Sequence, residues 1–279
     1  MRIAVLSGKG GTGKTFVSVN LAYVVQPSTY IDCDIEEPNG YLFLKPKISE
    51  TRKVSIMIPE FHADKCDGCR ACVKFCQYNA LAFIKGKPRL FAEICHSCGG
   101  CALLCPNKAI VETGRDIGII ERGESEGVTV YTGILKNGEA TGVPIIRQLL
   151  KAAPSAGNVI IDCPPGSACS VMESIKSADY CLLVAEPTLF GLNNLELVAR
   201  LVRLFEKPCG IVINKDTGTG EIIDRFAVEN NIPVLLKFPY DSQLAALNAK
   251  GFMAAKEDKY KPMFKHLFES ISEKSGGGE

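Results

Sequence analysis

Short apolar runs alternate along the chain with longer stretches whose apolar residues recur at helical spacing. Apolar, partly β-branched runs are typical of buried parallel strands, and apolar residues every three or four positions are typical of helices that cover a sheet. The predicted strands are residues 3–6, 28–34, 128–132, 159–162, 180–185, 209–215 and 234–238. The predicted helices are residues 16–25, 142–151 and 189–205, and one or two helices within 242–272. This alternation predicts an α/β fold with a doubly wound, mostly parallel sheet and helices on both faces.

The composition sets bounds on this fold class. The chain has 279 residues, enough to bury a full core and to form one large domain or two. Its formal net charge is +1, which gives no reason to expect a nucleic-acid partner. No apolar run approaches about 18 residues, and no charged-then-apolar leader precedes the first strand. We therefore expect a soluble, cytoplasmic protein without membrane contact, with a disordered tail at residues 275–279.

Residues 8–15 read Gly-Lys-Gly-Gly-Thr-Gly-Lys-Thr and lie between the first predicted strand and the first predicted helix. A phosphate-binding P-loop requires this context, and every fixed position of G-x4-G-K-[ST] is filled. Glycines let such a loop turn its N–H groups toward a phosphate chain, and the helix N-terminus adds positive charge. The alternative is a glycine-rich turn that binds nothing. The predicted nucleotide-binding residues of the loop are Gly8, Lys9, Gly10, Gly11, Thr12, Gly13, Lys14 and Thr15.

The loop and three aspartates suggest phosphate and metal chemistry. Lys14 is expected to reach the β- and γ-phosphates, and the Thr15 hydroxyl to bind Mg²⁺. Asp32 and Asp34 end the second predicted strand and Asp162 ends a later one, at the edge where open α/β sheets bind ligands. Asp162 fits the Walker B aspartate that holds Mg²⁺ through water. A carboxylate that orients water is sufficient help for phosphoryl transfer, which is the role expected of Asp34 unless it only caps the following turn.

Cysteine usage adds a second candidate chemistry. The chain has 13 cysteines, and those between residues 66 and 105 form two runs, 66–76 and 95–105, that both read C-x2-C-x2-C-x3-C. Such a repeat in a chain without a secretory leader argues for metal or cluster ligands rather than disulfides. Zinc is one alternative, although it does not call for the repeated third and fourth cysteines. A cluster pair with a purely structural role is another.

The repeat resembles the spacing of bacterial two-cluster ferredoxins. That resemblance implies two [4Fe–4S] clusters, each with three ligands from one run and a fourth from the other. The first cluster would take Cys66, Cys69, Cys72 and Cys105. The second would take Cys95, Cys98, Cys101 and Cys76. Gln77 stands where the usual pattern has proline, but no ligand is missing.

The P-loop resembles the deviant Walker A motif, Lys-Gly-Gly-x-Gly-Lys-Thr, of the MinD/ParA/Mrp and nitrogenase iron-protein superfamily. The resemblance implies that Lys9 crosses a dimer interface to the nucleotide of the other subunit; a solvated loop lysine is the alternative. It implies that Asp34 positions the attacking water or contacts Mg²⁺. It also implies that Gly166, in Asp-Cys-Pro-Pro-Gly, gives its N–H to the γ-phosphate. The residues implied for the base are Asn214, Pro239 and Asp241.

As a whole the chain resembles MinD-superfamily P-loop ATPases that carry an inserted ferredoxin domain. The implied organisation is a first ATPase part at residues 1–60, an inserted two-cluster domain at 61–112 and a second ATPase part at 113–274. Asp216 directly follows Lys215, unlike the Asn-Lys-x-Asp motif that reads guanine, so ATP is favoured over GTP. The resemblance implies that ATP binding draws two chains together, as a homodimer or with a similar chain.

Three functions are compatible with this resemblance. The main hypothesis is ATP-gated electron transfer, with an unknown redox or cluster-accepting protein as partner. Assembly or delivery of Fe–S or other metal clusters is one alternative, although no C-x2-C follows residue 105. The other is a positioning ATPase of the MinD or ParA type with the insert as docking module. Apolar residues at helical spacing in 260–271 are predicted to pack in the core, with membrane targeting as the alternative.

Overall fold

A nine-stranded sheet forms the centre of the protein in a computed structural model that describes residues 1–154, 156–218 and 221–275. Its strands are β1 (Arg2–Leu6), β2 (Ser28–Asp32), β3 (Lys47–Phe61), β6 (Ile110–Ser125), β7 (Val128–Leu135), β8 (Asn158–Asp162), β9 (Tyr180–Ala185), β10 (Cys209–Asp216) and β11 (Val234–Pro239). They lie in the order β11-β10-β9-β1-β8-β2-β7-β6-β3. A separate hairpin pairs β4 (Leu81–Ile84) with β5 (Lys87–Leu90). The predicted disordered tail lies outside the described residues from residue 276 onward.

Seven neighbouring strands of the sheet pair in parallel, in the order β11, β10, β9, β1, β8, β2 and β7. They correspond to the seven strands predicted from the sequence. The helices are α1 (Lys14–Val24), α2 (Gly40–Leu44), α3 (Ala71–Phe75), α4 (Gly100–Leu103), α5 (Val143–Ala152), α6 (Cys169–Ile175), α7 (Leu189–Leu204), α8 (Ile222–Glu229), α9 (Ser242–Ala249) and α10 (Lys261–Ser275). The prediction of a doubly wound, mostly parallel sheet is therefore confirmed.

Helices cover both faces of the sheet and bury two apolar layers. On one face, α5, α6, α7 and α8 pack over residues such as Ile31, Ile161 and Ile211. On the other face, α1, α2, α9 and α10 pack over residues such as Ile3 and Ile160. The carboxyl ends of the central strands are left uncovered at one edge, which is where the candidate site lies.

The C-terminal helix α10 packs in the second of these layers. Phe264, Leu267 and Ile271 are fully buried, and the Phe264 ring lies 5.6 Å from that of Phe16 and 5.0 Å from that of Phe238. The apolar face that raised the membrane-targeting alternative therefore belongs to the core, as predicted. None of the helices in the described residues is long and apolar enough to cross a membrane.

The two strands of the nine-stranded sheet that sequence patterns do not predict are β3 and β6. They pair antiparallel from Lys47↔Glu124 to Phe61↔Ile110 and add a long hairpin to the edge of the sheet. Most residues of β3 are exposed, and the strand is rich in charge, so it lacks the apolar runs of the buried strands. Charged side chains on such an edge also discourage pairing with other chains.

The cysteine-rich segment lies at the far end of this hairpin. Between β3 and β6 the chain forms α3, the β4–β5 hairpin, a 3-10 turn at Ala92–Ile94 and α4. The predicted boundaries at residues 60/61 and 112/113 fall within the last pairs of the β3–β6 hairpin. The segment is thus connected to the main sheet through the two paired strands β3 and β6.

Candidate functional site

The glycine-rich loop connects the carboxyl end of β1 to α1, and close packing shapes it. Gly13 has a φ of 96°, and a Cβ at that position would overlap the side-chain amide of Asn214. A Cβ at Gly8 would overlap the backbone of Asn194. Only glycine satisfies both constraints. The loop therefore owes its conformation to these two glycines.

Lys14, the first residue of α1, directs its ammonium toward two carboxylates. Its Nζ lies 2.8 Å from Oδ1 of Asp162 and 3.7 Å from Oδ2 of Asp34. Asp162 ends β8 and Asp34 follows β2, and these strands are parallel neighbours, so their carboxyl ends meet. The Ser18 hydroxyl, one turn along α1, donates to the same Asp162 oxygen at 3.2 Å. A buried cation and two carboxylates therefore converge beneath the loop.

A buried tyrosine holds the other oxygen of Asp162. The hydroxyl of Tyr30 donates to Oδ2 of Asp162 at 2.9 Å and lies 3.5 Å from Oδ2 of Asp32. Asp32 accepts the backbone N–H of Asp34 at 3.1 Å and that of Gly40 at 2.9 Å. One buried carboxylate therefore fixes both ends of the loop that carries Asp34.

Burial and mutual charge shift the pKa values in this cluster. Burial, helped by the charge of Asp162, raises the pKa of Asp32 to about 7. Burial also raises the pKa of Asp34, although the Lys14 ammonium opposes the shift. Burial disfavours the Lys14 ammonium, but the charge and hydrogen bond of Asp162 outweigh it and raise the lysine pKa. Lys14 therefore stays charged, while Asp32 exchanges a proton near neutral pH.

A groove of about 530 Å³ opens above the cluster, within the usual size range of small-molecule sites. The predicted site residues that line it are Lys9, Gly10, Gly11, Gly13, Lys14, Thr15 and Asp34. A second cavity of about 180 Å³ adjoins it and is lined by the predicted base-binding residues Asn214, Pro239 and Asp241. The remaining predicted residues, Gly8, Thr12, Asp162 and Gly166, lie outside both walls. The structure therefore brings most of the predicted nucleotide site to one edge of the sheet.

Asp241 has a structural role that the sequence does not predict. Its Oδ1 caps α9 by accepting the N–H of Gln243 at 2.8 Å. Its Oδ2 accepts from the Lys259 ammonium and the Tyr260 hydroxyl, each at 2.7 Å. These hydrogen bonds hold the pKa of Asp241 below its ordinary value. Since both oxygens are engaged, contact with a base stays a prediction.

Two further residues predicted to contact nucleotide have their N–H groups engaged within the protein. The side-chain amide of Asn214 donates to the Thr12 carbonyl at 2.7 Å and so braces the P-loop. The backbone N–H of Gly166 donates to the Ser7 carbonyl at 2.9 Å. A contact between Gly166 and a γ-phosphate therefore requires that this bond break, and it stays a prediction.

Lys9 folds back onto its own chain. Its Nζ lies 2.8 Å from Oε2 of Glu186 and 5.2 Å from the ring centre of Phe190. Lys215 binds the other oxygen of Glu186 at 2.6 Å and donates to the Gly11 carbonyl at 3.0 Å. Glu186 therefore joins two lysines beside the P-loop, so Lys9 is not a freely solvated loop lysine. Its predicted contact across a dimer involves a second chain and stays a prediction.

The cysteine repeat surrounds two cavities in the segment between β3 and β6. Cavity A is lined by Cys76, Cys95, Cys98 and Cys101. Cavity B is lined by Cys66, Cys69, Cys72 and Cys105. Each cavity combines three thiols of one run with the last thiol of the other run. This is the partition that the ferredoxin resemblance implies.

The thiols of each cavity are not gathered around one point. Across the residues described, no group of three or more His, Cys, Asp or Glu side chains is placed to hold a single metal ion. Burial raises the pKa of Cys95, and that of Cys101 to about 11. Burial therefore favours the protonated form of both thiols.

Three features of the structure were not predicted from the sequence, and only the first has a sequence signal that could have found it. Tyr30 shares a strand face with Asp32 two residues later, so strand periodicity alone places it beside the aspartates. Glu186 follows β9, and its position beside the P-loop emerges only from the order of β9 and β1 in the sheet. The ion pair between Arg115 and Glu139 joins β6 to the loop after β7, and no pattern in the sequence announces it.

Known proteins share this fold over nearly the full chain. A family model described as the CobQ/CobB/MinD/ParA nucleotide binding domain, CbiA, matches residues 3–252. The uncharacterized protein MJ0578 of Methanocaldococcus jannaschii is 31% identical over 280 residues, 98% of this chain and 97% of that protein. The cell division ATPase MinD of Pyrococcus furiosus has a TM-score of 0.60 at 19% identity, with 98% of each chain covered. MinD of Pyrococcus horikoshii, complexed with Mg-ADP, has a TM-score of 0.59 at 17% identity, covering 99% of this chain and 97% of that one.

Proposed function

The chain belongs to the CobQ/CobB/MinD/ParA nucleotide-binding domain family, and on this basis we propose that it is an ATP-hydrolysing switch. ATP binds along the groove above Lys14, and its binding draws two chains together, as a homodimer or as a pair of similar chains. Hydrolysis then releases the pair. The observation that carries the proposal is the convergence of Lys14, Asp34 and Asp162 beneath a glycine-rich loop.

The residues around Lys14 suit a triphosphate and its metal. Lys14 exchanges its contact with Asp162 for phosphate oxygens, while the N-terminus of α1 adds positive charge. Thr15, Asp34 and Asp162 offer the hard oxygen ligands that Mg²⁺ prefers, directly or through water. Mg²⁺, when bound, supplies charge that neutralises the phosphates. Asp34 lies in the groove wall, where its carboxylate orients the attacking water.

The adjoining cavity is the proposed position of the base. Asn214 and Pro239 line it, and it opens into the phosphate groove through a shared wall that includes Gly11 and Gly13. A nucleotide laid from the P-loop toward β10 and β11 therefore places its base against these residues. The Mg-ADP complex of Pyrococcus horikoshii MinD, which has the same fold, supports a nucleotide in such a site.

The dimer in this proposal uses Lys9. The lysine lies at the rim of the groove, and its partner Glu186 competes with any second chain for its ammonium. Pairing of two chains therefore exchanges the contact within one chain for a contact with the other subunit's nucleotide. Hydrolysis removes the γ-phosphate and returns Lys9 to Glu186.

A switch of the MinD or ParA type is favoured over ATP-gated electron transfer as the general function. The matched family is a nucleotide-binding one, and the cell division ATPase MinD of Pyrococcus furiosus has the same fold. The cysteine-rich segment is then an accessory of the switch, used for docking or for redox chemistry.

Calorimetric titration of the full chain with MgATP tests the nucleotide site. Wild-type protein is expected to bind MgATP in preference to MgGTP, and Lys14→Ala to lose at least about 100-fold in affinity. Lys237→Ala, which removes an exposed lysine paired with Asp224, is the matched control and is expected to bind normally. Binding that survives in Lys14→Ala, or is equal for both nucleotides, contradicts the proposal.

A second candidate function rests on the two cysteine cavities. The four thiols of each cavity have the donor chemistry and the crossed 3+1 partition that a two-cluster ferredoxin requires. In this proposal each cavity holds one [4Fe–4S] cluster, which exchanges single electrons when bound.

Redox titration followed by EPR, under anaerobic conditions and with or without MgATP, separates the uses of the segment. A shift of potential or spectrum with MgATP in wild type, absent in Lys14→Ala, supports ATP-gated electron transfer. Two clusters that titrate identically in all conditions support a docking or structural role. Protein that holds no iron after anaerobic reconstitution contradicts the cluster proposal itself.

A further inference from the structure

The loop between β7 and α5 lies between the nucleotide groove and the cysteine-rich segment. This bridging loop, residues 136–142, connects Leu135 at the end of β7 to Val143 at the start of α5. It contacts the groove at both of its ends and the cysteine-rich segment at its middle. These two sets of contacts connect the nucleotide groove to the cysteine-rich segment through a single loop.

At the groove, the loop ends pack against Ile35. The backbone N–H of Leu135 donates to the Ile35 carbonyl at 2.8 Å. At the other end, Gly142 lines the groove, and a Cβ there would overlap the side chain of Ile35. Ile35 is 3% exposed and directly follows Asp34. Any displacement of the Asp34–Ile35 backbone therefore presses on both ends of the bridging loop.

At the cysteine-rich segment, the loop is held by a bidentate ion pair. Arg115 of β6 donates to the two carboxylate oxygens of Glu139 at 2.8 and 2.7 Å. The same guanidinium donates to the Ala92 carbonyl at 3.1 Å. The backbone N–H of Ala140 donates to the Glu93 carbonyl at 3.0 Å. The loop is thus bound to the turn Ala92–Ile94 through both side chain and backbone.

This turn positions one of the cavity A thiols. The Ala92 carbonyl that accepts from Arg115 also accepts the backbone N–H of Cys95 at 3.2 Å. Arg115 and Cys95 therefore share one acceptor. In the described part of the chain, no backbone hydrogen bond of the bridging loop reaches residues 64–75, which carry Cys66, Cys69 and Cys72 of cavity B. The connection is specific to one of the two cavities.

The ion pair is suited to transmit displacement. Glu139 is 6% exposed and Arg115 is 21% exposed, so solvent screens them less than the exposed pairs of the surface. A bidentate arginine–carboxylate pair fixes orientation as well as distance. The neighbouring pair Arg122–Glu124 on the same strand is far more exposed, at 42% and 54%, and makes a single contact of 3.4 Å.

We propose that the bridging loop, through Arg115 and Glu139, couples the nucleotide-dependent position of Asp34 and Ile35 to cavity A and leaves cavity B unaffected. The inference rests on the proposed nucleotide site but does not require that electrons be transferred. It assigns a different role to each half of the cysteine repeat. Coupling of this kind is a free energy shared between two sites, carried by a contiguous set of contacts.

Amide hydrogen exchange on the full-length chain, with and without MgATP, tests this coupling. Three segments are followed, namely residues 34–40 beside the nucleotide, 92–98 at cavity A and 64–72 at cavity B. In wild type, MgATP is expected to change exchange about fivefold or more at 34–40 and at 92–98, with no change at 64–72. In Glu139→Gln the response at 34–40 is expected to persist and that at 92–98 to disappear.

Two further variants serve as the control and as the alternative to Glu139→Gln. Glu124→Gln, which removes the exposed pair of the same strand, is the matched control and is expected to respond as wild type does. Arg115→Lys keeps the charge but not the bidentate contact, and it replaces Glu139→Gln if that variant does not fold. A response at 92–98 that persists in the folded variant of this ion pair, Glu139→Gln or Arg115→Lys, or an equal response at 64–72, overturns the coupling. No response at 34–40 refutes the nucleotide site, and the coupling falls with it.

Discussion

The ammonium of Lys14 and the carboxylate of Asp162 lie 2.8 Å apart at the end of the central strands, and the Asp162 side chain has no exposed surface. The residue proposed to bind phosphate and the residue proposed to hold the metal are therefore each other's counter-ion. Because Asp162 is also held by Ser18 and Tyr30, the carboxylate is fixed while the lysine side chain ends at the groove. When a nucleotide binds in this site, Lys14 is therefore expected to exchange its contact with Asp162 for contacts with phosphate oxygens.

Removal of Lys14 is expected to destabilise the protein as well as abolish nucleotide binding. Lys14→Ala leaves the buried Asp162 charge without its cation, which costs about 3 kcal/mol or more in the free energy of unfolding. Urea denaturation without nucleotide measures the loss. The exposed pair of Lys237 and Asp224 gives the comparison, since Lys237→Ala is expected to cost less than about 1 kcal/mol. Equal losses in the two variants contradict the buried pairing.

The hydroxyl of Tyr30 is expected to contribute to the metal site. Tyr30→Phe removes the hydrogen bond to Asp162 and is expected to cost about 1–3 kcal/mol of stability. It is also expected to raise the Mg²⁺ concentration needed for ATP binding. Tyr180 is a matched control, because in the described structure its hydroxyl is buried without a hydrogen-bond partner. Tyr180→Phe is expected to cost nothing, so a similar loss in both variants counts against the role of Tyr30.

Asp32 is expected to give the protein an unusual dependence on pH. Its pKa is raised to about 7 from an ordinary value of 3.8, so between these values the folded chain holds a proton that the unfolded chain has released. Folding is therefore favoured by protonation, and the contribution of this group to stability increases as the pH falls from about 7 to about 4.

Urea denaturation in the presence of EDTA, repeated across this pH range, measures the effect. Asp32→Asn removes the titrating group, so the variant is expected to lose this component of the slope while the other carboxylates keep theirs. A slope that is identical in wild type and variant would show that Asp32 is ionised throughout the range.

Substitution of single cysteines is expected to remove one cluster at a time. Cys101→Ser takes a ligand from cavity A, and Cys72→Ser takes one from cavity B. Each is expected to lower bound iron from about eight atoms per chain to about four after anaerobic reconstitution. Cys169 is exposed and lies outside the repeat, so Cys169→Ser is the control and is expected to bind the full amount. Iron content that is the same in all three variants contradicts the cluster proposal.

The parallel part of the fold could be predicted because burial on both faces leaves a strong mark in the sequence. Runs such as 159–161 and 180–185 are apolar without interruption, and the second is followed by a turn and a helical pattern. The β3–β6 hairpin could not be predicted, because charged residues interrupt both strands and most positions of β3 are exposed. Exposed strands are specified by their partners rather than by a pattern of their own.

Within the site, residues that form local motifs could be predicted from the sequence, whereas contacts between distant parts of the chain could not. The P-loop and each cysteine run place most of their residues within a few positions of one another, while the pairing of each run with the last cysteine of the other came from the ferredoxin resemblance. The contact of Lys9 with Glu186 joins residues far apart in the sequence, and it depends on the order of strands in the sheet. Asp241 differs in another way. The resemblance implies that it contacts the base, but both of its carboxylate oxygens accept hydrogen bonds within the fold.

The mass of the protein in solution, measured by sedimentation with MgATP, with MgADP and without nucleotide, tests the switch most directly. One chain is expected without nucleotide and with MgADP, and two chains are expected with MgATP. Lys14→Ala is expected to stay a single chain throughout, and Lys9→Ala to bind MgATP but remain a single chain. A wild-type protein that binds MgATP and still sediments as one chain would contradict the proposal that ATP binding draws two chains together.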